Sequence, residues 1–428
     1  MKFEHICVIG LGYIGLPTAS TFATHGIKVT GVDSNPRVVT SLQNGKTHIY
    51  EPGLNEVVSE ALQSGMLRVA SLPVEADAFI IAVPTPFYGD KKADMSYVRS
   101  AAESILPVLR RGNLVVLEST SPPLTTRDIV EPILERSDLK AGEDFLLAYS
   151  PERVLPGQIL HELINNARVI GGINPQSAEA GRDLYAIFVK GEIVLTDAVT
   201  FEMVKLMENT YRDVNIAIAN EFSRLADRFG VDVWEAISIA NRHPRVRILN
   251  PGPGVGGHCI SVDPWFFVEA APDQTPLIHT ARKVNDSQPE FVLKLVRKSL
   301  GDLQGKKIAA LGLAYKPDVD DLRESPAVEV LHHLVHAGAL VSAYEPYRTD
   351  FPVEHVHMFA SLEETLQGAD AILLLVAHSQ FKTLDPRQTA ALMPGRVAID
   401  TVNCWEREAW EAAGFTLTRL GDRKHRPA

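Results

Sequence analysis

A buried-type strand running straight into a glycine-rich turn leaves a chain few folds to choose from. His5-Ile6-Cys7-Val8-Ile9 is nearly all apolar, the mark of a strand covered on both faces in a parallel sheet. Gly10-Leu11-Gly12-Tyr13-Ile14-Gly15 follows, then a stretch that reads as helix to about His25. A second run, Lys28–Val32, ends in Asp33. This is a βαβ unit with Gly-x-Gly-x-x-Gly at its first turn and an acid at the end of its second strand. The glycines allow the tight turn and let a pyrophosphate reach backbone N–H groups at the helix start. Gly10, Gly12, Tyr13, Ile14 and Gly15 are therefore expected to line a dinucleotide, with Asp33 accepting hydrogen bonds from the adenosine ribose. A 2′-phosphate beside that acid would be repelled by ~4 kcal/mol at ~4 Å for an effective dielectric of about 20. That favours NAD over NADP, with Arg37 close enough in sequence to soften the preference.

More βα units follow, at Ala78–Val83, Leu114–Leu117 and Phe145–Tyr149. In such folds ligands sit outside the carboxyl ends of the strands. Thr85, Glu118, Thr120, Glu152 and Arg153 are thereby expected to face cofactor or substrate. Helix capping explains a strand-end threonine nearly as well. It explains Glu118 less well, because a carboxylate leaving a buried strand needs a partner or a reaction.

The chain has 428 residues, enough for two to four domains. A net charge of −11 argues against nonspecific binding to nucleic acid or to an anionic membrane. An anionic ligand must then meet local positive charge, which makes individual Arg and Lys positions informative. Three cysteines, Cys7, Cys259 and Cys404, are too few for a disulfide framework, and no zinc-type pair is present. The expected compartment is a reducing cytosol. Ile6–Leu16 is apolar but interrupted by glycines and Pro17, so it does not read as a signal sequence, and no run is long enough for a bilayer.

From about Thr200 to Phe229 the pattern is helical. Phe201, Val204, Met207 and Tyr211 are expected on one side, and Lys205, Asn209 and Arg212 on a polar stripe. A helix this long can join two domains and offer a dimer surface. An Arg/His-rich stretch with His243 and Arg245 comes next, then the loop PGPGVGGHCISVDP, Pro251–Pro264. Its glycines are expected to let the backbone approach a ligand closely around Cys259. A second βα run begins at Lys306, with strands at Leu340–Tyr344, Ala371–Val376 and Val397–Thr401. Tyr315, Lys316 and Arg323 follow its first strand, a set that suits a base and phosphates.

GLGYIGLP, AVPTP, LEST, the KLMENTYR helix, PGPGVGGHC and GLAYKPDVDDLRESP resemble the UDP-glucose/GDP-mannose dehydrogenase family, in order over nearly the whole chain. SPERVLPG, ANRHPRV and GPGVGGHCISVDPWF look like its UDP-N-acetyl-D-mannosamine 6-dehydrogenase branch. The resemblance implies two Rossmann-like doubly wound α/β domains joined by a long central helix and a helical middle domain. The expected boundaries are 1–198 for an NAD-binding domain, 199–300 for a central dimerisation domain and 301–428 for a UDP-binding domain. It implies an NAD-dependent four-electron oxidation of the C6 alcohol of a UDP-sugar to a carboxylate, for surface polysaccharides. Cys259 matches the nucleophile. Lys205 and Asn209 match groups around the developing oxyanion, and Asp263 and Glu118 match carboxylates linked to water activation. Glu152, Arg153, Val154, Arg212, His243, Arg245, Gly256, Tyr315 and Lys316 match the UDP-sugar site. Asp33, Thr85, Thr120 and Arg323 match cofactor positions. A homodimer through the central helix is implied, with no metal, nucleic acid or membrane partner.

Three alternatives stay open at this level. The same chemistry could act on UDP-N-acetylglucosamine or UDP-glucose. A two-electron NAD-dependent hydroxyacid dehydrogenase would use Lys205 and Asn209 and leave Cys259 a spectator. A non-enzymatic sugar-nucleotide sensor or metal protein would instead use His243, His258 and Cys259 as ligands.

Overall fold

The computed structural model describes residues 1–423. They form two compact units, Met1–Glu208 with Trp265–Pro272, and Asn209–Pro264 with the chain from Asp273 onward.

The first unit is built on eight strands: β1 His5–Ile9, β2 Lys28–Val32, β3 Leu67–Ala70, β4 Ala78–Ile81, β5 Leu114–Leu117, β6 Leu146–Tyr149, β7 Arg168–Gly172 and β8 Ile193–Asp197. Their order is β3-β2-β1-β4-β5-β6-β7-β8. All neighbours are parallel except β6 and β7. The apolar run of β1 has the predicted cause. Ile6 and Val8 enter the core on one face of the sheet, Cys7 and Ile9 the core on the other. Phe79, Ile80 and Ile81 of β4 are fully buried. Each such side chain contributes about 1.5–3 kcal/mol on leaving water.

The second unit repeats the plan with β9 Lys307–Leu311, β10 Leu340–Tyr344, β11 His357–Met358, β12 Ala371–Leu374, β13 Val397–Asp400 and β14 Thr416–Arg419. The order β11-β10-β9-β12-β13-β14, parallel throughout, is the doubly wound 3-2-1-4-5-6 arrangement. In β9, Ile308 and Ala310 face one core, Ala309 and Leu311 the other. The expected α/β class with two Rossmann-type sheets and a helical central region is therefore what the chain forms. Strands β3, β7, β8, β11 and β14 had not been anticipated. Each is short, partly polar or partly exposed, and so lacks the apolar run that marks a central strand.

Five helices matter below: α1 Gly15–Thr24, α2 Ala198–Phe229, α3 Asp263–Ala270, α4 Pro276–Asp286 and α5 Pro326–His336. Ser325 caps α5 by accepting from Ala327 N, with Pro326 in the first turn, as its sequence requires. The 32 residues of α2 span about 48 Å at ~1.5 Å per residue. Its faces differ from expectation. Phe201 is buried, but Met207 is 51% and Tyr211 67% exposed, while Lys205 and Asn209 are buried. The polar side packs inward because Glu202, Lys205, Asn209, Asp213 and Asn220 all find hydrogen-bond partners there. Met203, Met207, Tyr211, Ile218, Phe222, Leu225 and Phe229 are left outward. No helix among the described residues is long and apolar enough to cross a membrane.

Candidate active site

The glycine turn between β1 and α1 has little room to spare. Gly10 has φ +93°, and a Cβ there would lie 2.5 Å from the carbonyl oxygen of Ala82. A Cβ at Gly15 would lie 1.8 Å from the carbonyl oxygen of Gly10. At Gly12, in contrast, a Cβ would meet nothing within 4 Å, so this is the open side of the turn. Tyr13 and Ile14 beside it are half-buried. Asp33 ends β2 and holds the turn, accepting from Leu11 N at 3.0 Å and from Asn35 N at 2.8 Å. Arg37 is exposed in the first turn of the next helix. Thr85 donates to the carbonyl of Thr120 at 2.6 Å, joining the loops after β4 and β5. A turn closed on two sides and open at Gly12, with an acid at the second strand end, fits a dinucleotide pyrophosphate and ribose.

The loops after β5 and β6 meet at a residue the sequence reading passed over. Arg168, at the start of β7, is buried between two carboxylates. Its Nη2 lies 2.6 Å from Glu118, and its Nη1 pairs with Glu152. Burial pushes the Glu118 carboxyl up, against the pull of Arg168. Tyr185 also donates to Glu118, at 3.1 Å. Lys205 donates from Nζ to the main-chain carbonyl of Glu152 at 2.8 Å. Arg153 pairs with Glu208 at 2.8 Å and reaches the carbonyl of Ala167 at 2.5 Å, and Val154 packs on the core. The available signal for Arg168 was a lone cation opening an otherwise apolar strand, Arg168-Val-Ile-Gly-Gly. A buried arginine needs an anionic partner.

In the second unit, Asn209 donates to Asp263 at 2.6 Å, so two expected site residues meet directly. Asp263 opens α3, and its N–H and that of Val262 both donate to the carbonyl of Cys259. Cys259 is half-buried. The start of its loop is pinned by Asn220, which accepts from Gly252 N at 2.9 Å and donates to Asn285 at 2.9 Å.

The glycines of this loop have a different cause from the one expected. A Cβ at Gly256 would lie 2.5 Å from the carbonyl oxygen of Glu324 and 2.6 Å from Pro326. Gly257, at φ +87°, would place one 2.8 Å from the Tyr315 ring, and Gly254, at φ +143°, one 2.8 Å from Pro326. They let the loop lie against the segment 315–326. Gly252 alone is open.

That contact brings His258 to Arg323 and Asp321. Nδ1 of His258 is 3.0 Å from the Arg323 guanidinium and 3.5 Å from Asp321. Burial opposes charge on the ring, but hydrogen bonds to Asp321 and the Cys259 side chain outweigh it and raise His258 to about 9. Burial, with Asp321 and Cys259 nearby, pushes the Tyr315 phenol up. Lys316 Nζ lies 6.0 Å from the Tyr315 ring centre. Arg212, His243 and Arg245 stay on the surface, with Arg245 N 3.4 Å from His243 Nδ1.

The second sheet carries its own acid at the corresponding strand end, Glu345 after β10, which sequence reading missed. Glu345 is fully buried and already engaged. It accepts from Leu313 N, Ala314 N and Tyr347 N at 2.7, 2.9 and 3.1 Å, and lies 3.1 Å from His378 Nε2. His378 accepts from Asp318 N on its other nitrogen, so Nε2 carries the proton. Asp33 stays partly exposed, whereas Glu345 does not.

A glycine turn with a partly free acid, and a second sheet of matching order, are features of dinucleotide-binding α/β dehydrogenases. Residues 4–189, 199–287 and 309–407 match, respectively, the NAD binding, central and UDP binding domains of the UDP-glucose/GDP-mannose dehydrogenase family. A UDP-N-acetyl-D-mannosamine dehydrogenase from Methanococcus maripaludis is 49% identical, with 98% of this chain and 97% of that protein covered. An NDP-N-acetyl-D-galactosaminuronic acid dehydrogenase from Ralstonia nicotianae is also 49% identical, covering 95% and 97%. The structure of a UDP-D-ManNAc dehydrogenase from Pyrococcus horikoshii superposes with a TM-score of 0.92 at 41% identity, covering 98% and 100%. The chain belongs to the UDP-glucose/GDP-mannose dehydrogenase family. It is an NAD-dependent nucleotide-sugar dehydrogenase.

Proposed function

We propose that the protein oxidises the C6 alcohol of UDP-N-acetyl-D-mannosamine to the carboxylate, by way of covalent intermediates on Cys259. The observation that carries the reading is Cys259 half-buried in a loop whose next helix opens on Asp263, itself bonded to Asn209. Relatives at 48 and 49% identity named for UDP-N-acetyl-D-mannosamine support the choice of sugar. Bound NAD supplies the hydride acceptor.

Lys205 takes the C6 hydroxyl proton as the first hydride leaves, giving an aldehyde. The sulfur of Cys259 adds to it, and the new oxyanion is stabilised by Lys205 and by the amide of Asn209. Collapse of that oxyanion with loss of a second hydride leaves a thioester, the thiol proton having passed to solvent. Water adds, with Asp263 accepting its proton, and the carbon–sulfur bond breaks to release the uronate and the thiol. Arg153, Val154, Arg212, His243, Arg245, Gly256, Tyr315 and Lys316 hold the UDP-sugar, and Gly10–Gly15, Asp33, Thr85, Thr120 and Arg323 the cofactor. The uronate serves surface polysaccharide synthesis.

The test is a stoichiometric assay with UDP-N-acetylmannosamine, UDP-N-acetylglucosamine, UDP-glucose and GDP-mannose. Two NADH per sugar and fastest turnover of the first donor are expected. One NADH with free aldehyde would remove the covalent route, and preference for another donor would change the substrate.

The exposed stripe of α2 supports a homodimer built on that helix, since isolated apolar side chains are ordinary on a surface but a row of seven along one helix is not. By light scattering the parent protein is expected to be a dimer and Met207→Lys with Tyr211→Glu a monomer. A double variant of unchanged mass would move the interface elsewhere.

A further inference from the structure

The segment Ser150–Arg153 carries the carbonyl that receives the Lys205 ammonium, and it is fastened to one guanidinium. Arg168 Nε reaches the Ser150 hydroxyl at 3.0 Å, Nη2 the Ser150 carbonyl at 3.2 Å, and Nη1 the Glu152 carboxylate. Arg168 is itself held from behind. Glu118 takes Nη2 at 2.6 Å, and the Tyr185 ring lies 3.4 Å from the guanidinium carbon. Two buried carboxylates thus share one buried cation. Neither carboxylate reaches the mechanism above, and the pairing joins elements 16 and 50 residues apart in sequence.

We propose that Arg168, backed by Glu118 and Tyr185, is a positioning residue that fixes Glu152 and, through the Glu152 carbonyl, the ammonium of Lys205. This rests on the reading of Lys205 as the proton-transferring group. Glu118 then acts through Arg168 rather than on water. Its carboxyl lies wholly inside the cluster, with Arg168 and Tyr185 on one oxygen. The charged and titratable groups around Glu152 are Arg168, with Glu118 and Tyr185 behind it, Lys205 at its carbonyl, and Arg153, whose N–H donates to it at 3.2 Å.

Arg168→Lys and Glu118→Gln in the full-length enzyme test this. An ammonium is a point charge and cannot fork between two carboxylates and Ser150. Arg168→Lys is expected to lower kcat between about tenfold and a hundredfold, the effect of a misplacement of about 1 Å. NADH affinity, read by fluorescence, should stay within about twofold. The acid limb of its pH–rate profile should move to higher pH, because Glu152 loses close cationic support. Glu118→Gln leaves the guanidinium to Glu152 alone, so its acid limb should move to lower pH. Opposite shifts are a signature that a merely structural role does not produce. Two variants with lowered Tm and parental pH profiles would overturn the proposal. Lys205→Ala separates the two readings. Full turnover in that variant removes the role of Lys205. An inactive Lys205→Ala beside an unshifted Arg168→Lys profile removes only the role of Arg168.

Discussion

Cys259→Ala should bind NAD as the parent protein does and form uronate at less than about a thousandth of the parental rate. The size follows from what the thiol does. Oxidation past an aldehyde needs a second hydride from the same carbon, and covalent addition turns that carbonyl into an oxidisable alcohol carbon. Without sulfur the reaction halts at the first hydride. Removing one member of a covalent machinery costs nearly as much as removing all of it. The alanine adds no bulk and leaves the carbonyl of residue 259 to accept from Val262 N and Asp263 N. The loop should therefore keep its shape. Stopped-flow absorbance separates the outcomes: up to one NADH per site with no uronate supports the route, and full parental turnover excludes it.

Arg282→Ala is expected to cost about 3–5 kcal/mol of stability, the usual penalty for stranding a buried ion. Arg282 and Asp213 are both buried, 2.5 Å apart, and Asn285 donates to the same Asp213 oxygen at 2.8 Å. Burial holds the Asp213 carboxyl above its ordinary range despite Arg282. A carboxyl raised on folding opposes folding above its folded value and ceases to do so as pH falls through it. With Arg282 gone the carboxyl rises further, so the loss should be greater at pH 8 than at pH 5. Calorimetry at the two pH values reads both points. Arg282→Met with Asp213→Asn should recover much of the loss, because neither charge is then left alone. A single variant with the parental Tm would mean that solvent reaches Asp213. The chain Arg282–Asp213–Asn285–Asn220 ends on Gly252 N, so the single variant should also loosen the Cys259 loop.

The parts of the fold legible beforehand are those governed by local rules. An apolar run, a glycine turn and a terminal acid lie within 29 residues, and the structure closes them through Asp33 and Leu11 N. Capping of α5 by Ser325 is equally local. The α2 faces were misread because periodicity shows which residues share a side, not which side finds partners. Lys205 and Asn209 go inward because a carbonyl and a carboxylate await them. Arg168 was missed because its two acids arrive from distant loops. Glu345 carries the same local signal as Asp33: each follows the second strand of its βα run.

The close fit of Gly254, Gly256 and Gly257 against Tyr315, Glu324 and Pro326 bears on how such a protein can diverge. Two stretches some sixty residues apart are one lock, and neither can vary by itself. A side chain at position 257 would meet the Tyr315 ring and also be strained at φ +87°, so shrinking residue 315 alone does not release this glycine. Redesign of donor preference is constrained in the same way. The cysteine loop offers no free glycine except Gly252, and new selectivity has to come from residues outside the lock.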